Sequence, residues 1–285
     1  MERWIVISNC QTFGLANSLQ VQADDIEVVG VDTYLFNSDP DRYNEELSQS
    51  SLLICANGVE SYMPRADFTR AAARRVVPTI SIRAYHPDLV YLSHNDKLVD
   101  GPSSDYHSAI VFAAFTKGMT VHDTQLLFNG KFYERCGYFD LWLHERDRQI
   151  QDFKEYGLDI SIPIRRWGRN QAFMYSINHP RIVCLYDIAT EILRLTGRSP
   201  KIGDLIPSDN LAIGAYFPVY PEIAENLGVK GNYRFKPIGT YRSIGLSEYI
   251  SNCFSVYERL PKGEIRAIND WSGFGETIKR VSYLI

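Results

Sequence analysis

Cys10 stands where chemistry would use a thiol, not where a core would store a small side chain. The apolar run Trp4-Ile5-Val6-Ile7 stops at Ser8-Asn9-Cys10-Gln11-Thr12, and a helical pattern begins directly afterwards. At such a junction unpaired backbone N–H groups and the helix dipole favour negative charge, and so favour the nucleophilic thiolate. The same N–H groups can hold the oxyanion that forms on an attacked carbonyl. A cysteine merely packed behind a strand is the alternative at this position.

Other positions supply the partners a nucleophile needs. Asn57 ends the run Leu52-Leu53-Ile54-Cys55-Ala56 and offers an amide donor, and His86, in Tyr85-His86-Pro87-Asp88, offers an imidazole. Nucleophile, donor and imidazole are the parts of an acyl-transfer site. His179 lies in Asn178-His179-Pro180, ahead of the clearest helical pattern in the chain. A residue before proline is driven extended, which predicts His179 as helix N-cap, its imidazole kept neutral by the dipole and able to act as a base. His107, after Asp105, falls in the first turn of another expected helix. Cys10, His86 and His179 are therefore the catalytic candidates. Gln11, Asn57, Asp88, His107 and Asn178 are the candidates for oxyanion or substrate binding. A satisfied structural histidine is the competing reading at each imidazole, and His94, His122 and His144 carry no comparable context. Histidines 86, 107 and 179 with Asp88 lack ligand spacing, so no metal is expected. Neither a phosphate loop nor a dinucleotide fingerprint occurs.

The elements that would carry these residues follow an α/β rhythm. Strands are expected at 4–8, 26–31, 51–56 and 76–83, and helices at 13–21, 41–47 and 67–75. Continuously apolar strands between helices predict a parallel sheet with helices on both faces. Ligands of such sheets bind beyond the carboxyl ends of the strands, where Cys10, Asn57 and His86 all fall. Further helices are expected over 105–117 and 121–129, in a long aromatic and charged stretch over 132–156, and over 180–196. The last has apolar residues 185, 188, 189, 192 and 193, with Pro180 before it and Gly197 after it. The division expected is an α/β domain over 1–100 and a mainly helical region over 101–285 packed on it.

Bulk properties exclude several classes. The chain has 285 residues, 45% hydrophobic and 22% charged, with a net charge of -4 that gives no electrostatic case for nucleic acid or an anionic membrane. No apolar run reaches the roughly 18–20 residues of a membrane span, and the N-terminus runs directly into a strand with no signal-peptide pattern. A cytoplasmic location is expected. Five cysteines without a C-x-x-C pair suggest neither a disulfide framework nor structural zinc.

Taken in order, Asn9-Cys10-Gln11, Tyr85-His86-Pro87-Asp88, Asp105-Tyr106-His107-Ser108 and Tyr175-Ser176-Ile177-Asn178-His179-Pro180 resemble the motifs of WcbI-type capsular polysaccharide biosynthesis proteins. The resemblance covers residues 4–197; the family usually has Gly where this chain has Ser8. It implies an SGNH-hydrolase-like N-terminal half, with Cys10 in the place of the serine and Asn57 matching the oxyanion-hole asparagine. It also implies an acyltransferase that takes acetyl-coenzyme A as co-substrate and O-acetylates a sugar. Arg165, Arg166 and Arg169 around Trp167 suit that cofactor, since guanidinium forks match phosphates and an indole can stack on adenine. A solvated basic turn is the alternative for that stretch. The competing functions are an SGNH-like esterase with a cysteine nucleophile and a non-catalytic binding module of a polysaccharide assembly complex.

Overall fold

A computed structural model describes residues 1–261, 263–268 and 273–285. The chain opens with β1 (Glu2–Ile7), α1 (Thr12–Gln22), β2 (Ile26–Gly30), α2 (Thr33–Ser38), α3 (Pro40–Ser48), β3 (Leu52–Cys55) and β4 (Arg74–Val76). Helices follow: α4 (Ala109–Thr116), α5 (Val121–Leu126), α6 (Gly130–Arg135), α7 (Leu141–Glu155), α8 (Ser161–Trp167) and α9 (Ile182–Leu195). The last are α10 (Pro221–Leu227), α11 (Leu246–Glu258) and α12 (Phe274–Leu284). These elements form two compact units, each assembled from three stretches of chain. The first takes Met1–Ser81, Arg146–Gly168 and Asn178–Leu211; the second takes Ile82–Glu145, Arg169–Ile177 and Ala212–Ile285.

The first unit holds the sheet. Its order is β2-β1-β3-β4 and every pairing is parallel, with Ile5 opposite both Val29 and Leu53. Because both faces are covered at the centre of the sheet, β1 over Trp4–Ile7 and β3 over Leu52–Cys55 are apolar and buried at successive positions instead of alternating. Ile5, Ile7, Leu53 and Cys55 pack with Phe36, Leu47, Met63 and Phe68. Val6 and Ile54 line a small cavity with Leu15 of α1 and Leu185 and Ile188 of α9. Gly14 allows α1 and α9 to approach this closely: a Cβ there would lie 2.5 Å from Leu185 Cδ1.

Several element boundaries depart from the sequence reading, each for a physical reason. Residues 67–75 form only a 3-10 turn over Phe68–Arg70, because Arg74–Val76 pairs with β3 and strand pairing overrides the helical preference of Ala71-Ala72-Ala73. The fourth strand stops at Val76. Beyond it, side chains replace a strand partner: Gln11 bonds both N–H and C=O of Ile80, and Gln149 takes the N–H of Ser81 and donates to the carbonyl of Thr79. The long 132–156 stretch breaks between α6 and α7, where Gly137 takes a left-handed conformation (φ +72°).

In the second unit α4 begins at Ala109, four residues later than expected. Ser108 is its N-cap and accepts from Val111 N–H, while Pro102–Asp105 and His107–Ser108 are extended and Leu89–Val90 pairs antiparallel with His107–Ser108. Residues 109–114 are all buried, and around α10 and α11 an aromatic core assembles, including Phe235 stacked on Tyr249 at 3.7 Å. Among the described residues no helix is long and apolar enough to cross a membrane.

Candidate active site

In a parallel sheet of order β2-β1-β3-β4 the chain reverses its winding between β1 and β3, and the crevice beyond their carboxyl ends is the natural ligand site. Cys10 follows β1 and Asn57 follows β3. Ile7 is in register with Cys55, and Ala56 N–H bonds Ile7 C=O at 2.9 Å, so both residues rise from neighbouring strands at one edge.

Asn9 shapes the turn that carries the thiol. Its Oδ1 accepts from Gln11 N–H (3.0 Å) and its carbonyl from Thr12 N–H (3.0 Å) and Thr12 Oγ1 (2.7 Å). Thr12 Oγ1 also accepts from Ser8 N–H at 3.0 Å. The backbone amides of Ser8, Gln11 and Thr12 at this junction are thus engaged inside the turn. Asn57 is exposed at the end of β3, just before Gly58, which has φ +71°.

Cys10 is partly exposed and its thiol donates to the Asn178 carbonyl at 3.8 Å. Gln11 reinforces the same contact from below. It is 3% exposed; its Nε2 donates to Asn178 C=O and to Ile80 C=O, each at 2.9 Å, while Oε1 accepts from Ile80 N–H at 3.1 Å. With both amide protons engaged, Gln11 does not serve as an oxyanion donor; it is a positioning residue that clamps Asn178 beside Cys10. Gln11→Leu would remove a side-chain hydrogen bond from three backbone groups, two of them on Ile80. A loss of about 3 kcal/mol is expected, read as a fall of about 6–12 °C in Tm.

His179 follows Asn178 in the same unit. It is not the N-cap of α9. That position belongs to Arg181, and Ile182 N–H is taken by Asp209 Oδ2 at 2.9 Å. The imidazole is nonetheless held neutral, its pKa lowered to about 4, by burial and not by the dipole. The role of Asp209 has no local signal in the sequence, since it caps a helix that begins 27 residues earlier.

The second unit places the remaining candidates in its interior. His86 is 1% exposed, edge-to-face with Phe217 and beside Tyr85, and burial lowers its pKa to about 3. His86 thus sits in the aromatic interior of its unit. Asp88 is fully buried and accepts from Ser108 Oγ, Tyr220 OH (2.7 Å), Tyr138 OH (3.0 Å) and Ile110 N–H (2.9 Å). Burial still raises its pKa to about 6. His107 bridges Val99 C=O and Tyr257 OH at 2.8 Å each and is likewise buried and neutral, near 4. Asp88 and His107 hold the unit together instead of offering a surface to a substrate.

The basic stretch is also revised. Arg165 and Arg166 end α8, where cations suit the dipole. Arg166 Nη2 pairs with Asp187 Oδ2 at 2.6 Å, and Trp167, 5% exposed, donates its indole N–H to the same oxygen at 2.6 Å. Arg166 is therefore neutralised and the Trp167 ring is not open to adenine. Arg165 is exposed, with its Nε on Ser161 C=O, and Arg169 is exposed in the second unit.

Comparison with known proteins agrees with the motifs. Residues 3–201 match the family described as polysaccharide biosynthesis enzyme WcbI. A solved structure of WcbI, described as a novel polysaccharide biosynthesis enzyme in its native form without a disulfide bond between coenzyme A and one of its cysteines, has the same fold. Its TM-score is 0.73 at 16% identity, over 98% of this chain and 99% of that one. No curated protein matches.

Proposed function

The chain belongs to the WcbI family of polysaccharide biosynthesis enzymes, and from that premise we propose that it transfers an acyl group, in the first instance acetyl, from coenzyme A to a sugar hydroxyl. The observation that carries this reading is the Cys10 thiol at the β1–β3 edge, held on the Asn178 carbonyl next to a neutral His179. The related protein's coenzyme A is named together with one of its cysteines; Cys10 is the thiol we assign to that role here.

His179 takes the proton of Cys10, whose sulfur attacks the thioester carbonyl while Asn57 donates to the oxyanion. Coenzyme A leaves as its thiol, carrying that proton. The sugar hydroxyl then attacks the acyl-cysteine, and its proton returns through His179 to Cys10. Arg165, an exposed cation of this unit beside Trp167, is assigned to the cofactor phosphates. A cytoplasmic location, where acyl-coenzyme A is made, suits this chemistry.

Calorimetric titration with coenzyme A and acetyl-coenzyme A tests the reading. Binding in the micromolar range, weakened about tenfold (1.4 kcal/mol) by Arg165→Ala, is expected. Arg169→Ala, titrated separately, reports whether the second basic side chain contributes. If neither ligand binds, transfer is excluded, and hydrolysis of an ester by the same thiol takes its place.

A further inference from the structure

The first unit carries a pocket that the acyl-transfer chemistry leaves unused. It lies between α8 and α9 and measures about 380 Å³, within the range of small-molecule sites. α9 begins at Ile182, four residues past Asn178, and the pocket residues Asp187 and Arg194 lie five and twelve residues further on. At 1.5 Å per residue that places them about 8 and 18 Å along the helix axis.

Two carboxylate–guanidinium pairs define its polar wall. Asp187 Oδ2 accepts from Arg166 and from the Trp167 indole, and among the described residues its Oδ1 takes no hydrogen bond. Glu191 Oε1 accepts from Arg194 Nη1 at 2.6 Å, and its Oε2 is free in the same sense. Each pair thus sets an open acceptor beside unused guanidinium donors. With Asp159 the lining carries three carboxylates against two guanidiniums. Ile162 and Ile202, on the same wall, are 71% and 66% exposed.

Charge decides what such a pocket takes. A phosphate or carboxylate ligand would meet a net negative lining whose arginines are already paired, and a purely apolar ligand would bury those charges without compensation. Vicinal hydroxyls each donate and accept, so they fit a carboxylate oxygen next to a guanidinium N–H, and the C–H face of a pyranose can lie on the isoleucines. We propose that this pocket binds an uncharged pyranose residue of the acceptor glycan, a subsite along α9 from the segment that holds the thiol. The choice of a glycan rests on the polysaccharide reading above; binding itself does not depend on acyl transfer.

The test is a nitrogen-15 shift titration of the full chain, carrying Cys10→Ala and without coenzyme A, using the methyl glycosides of glucose, mannose and galactose. Saturable shifts are expected at residues 159–166, 186–194 and 202 with at least one glycoside. Asp187→Asn and the surface change Glu191→Ala should each weaken that binding about fivefold or more. The proposal is overturned if none of the three glycosides moves these amides, or if the shifts persist unchanged in both variants. A native chain that binds the glycoside here but transfers no acyl group would count against the Cys10 chemistry and not against this pocket.

Discussion

Cys10→Ala is expected to lower acyl transfer by at least about 10³-fold, since removal of a nucleophile that works as a unit with its base is among the largest single-residue effects in enzymes. Coenzyme A binding should change little, because the thiol touches the Asn178 carbonyl and removing it opens no buried polar group of its own. Intact-protein mass spectrometry after mixing with acetyl-coenzyme A checks the step directly: one acetyl group on the native chain, none on the variant. A variant with the full rate would exclude the covalent route and leave His179 acting on the sugar hydroxyl without an acyl-cysteine. The pH profile gives an independent reading of the base. Burial lowers His179 to about 4, so its protonation should not switch activity off between about pH 8 and 5. An acid limb centred near the ordinary value of about 6.5 would mean that the imidazole is solvated in the working enzyme.

The second large effect is acid destabilisation of the second unit. His86 falls from 6.5 to about 3 and His107 from 6.5 to about 4, both by burial. A histidine with a depressed folded pKa takes up its proton later than the unfolded chain does, so stability is complete above about pH 6.5 and drains away as pH falls towards the folded value. By about pH 4.5 each has cost about 3 kcal/mol, at roughly 1.4 kcal/mol per pH unit. Asp88 acts in the opposite direction. Its carboxyl is raised from 3.8 to about 6, so the native state is protonated first and regains about 2 kcal/mol over the same interval. The balance is a loss of about 4 kcal/mol, set against a typical stability of about 5–15 kcal/mol. Thermal unfolding followed from pH 7 to pH 4.5 should therefore show a fall in Tm. His86→Leu, which removes one buried imidazole from an aromatic site, should make that fall shallower without lowering Tm at pH 7 by much. A Tm that stays flat for the native chain would mean that the two imidazoles are hydrated.

Much of the architecture was legible because it is written in local periods. Continuously apolar strands between amphipathic helices predicted the parallel sheet, and α9 could be read from Leu185, Ile188, Ile192 and Leu193 alone. The spacing of Tyr249, Ile250, Cys253, Phe254 and Tyr257 marks α11 equally well, although the punctuated composition after residue 200 draws attention away from it. The place of Cys10 and Asn57 at one edge also followed from order and polarity, since parallel strands deliver their carboxyl ends to the same side.

What a side chain does once there was not legible, because it depends on which donors and acceptors the fold brings within about 3 Å. Gln11 meets Ile80 and Asn178; Asp88 meets Ser108, Tyr138 and Tyr220; Arg166 meets Asp187. None of these partners lies close in sequence to the residue it occupies, and each changes a reading made from spacing: a donor became a clamp, a substrate ligand a buried hub, a phosphate ligand a neutralised ion pair. His86 and His179 make the same point through burial. Both follow the same outline of an imidazole before proline, yet one is sealed in an aromatic core while the other stands next to the residue that holds the Cys10 thiol. The sequence by itself determined the sheet and the edge at which the thiol stands. The tertiary structure decided that His86 is sealed among aromatic rings while His179 stays only partly buried, because desolvation and hydrogen-bond partnership come from packing between segments far apart in the chain.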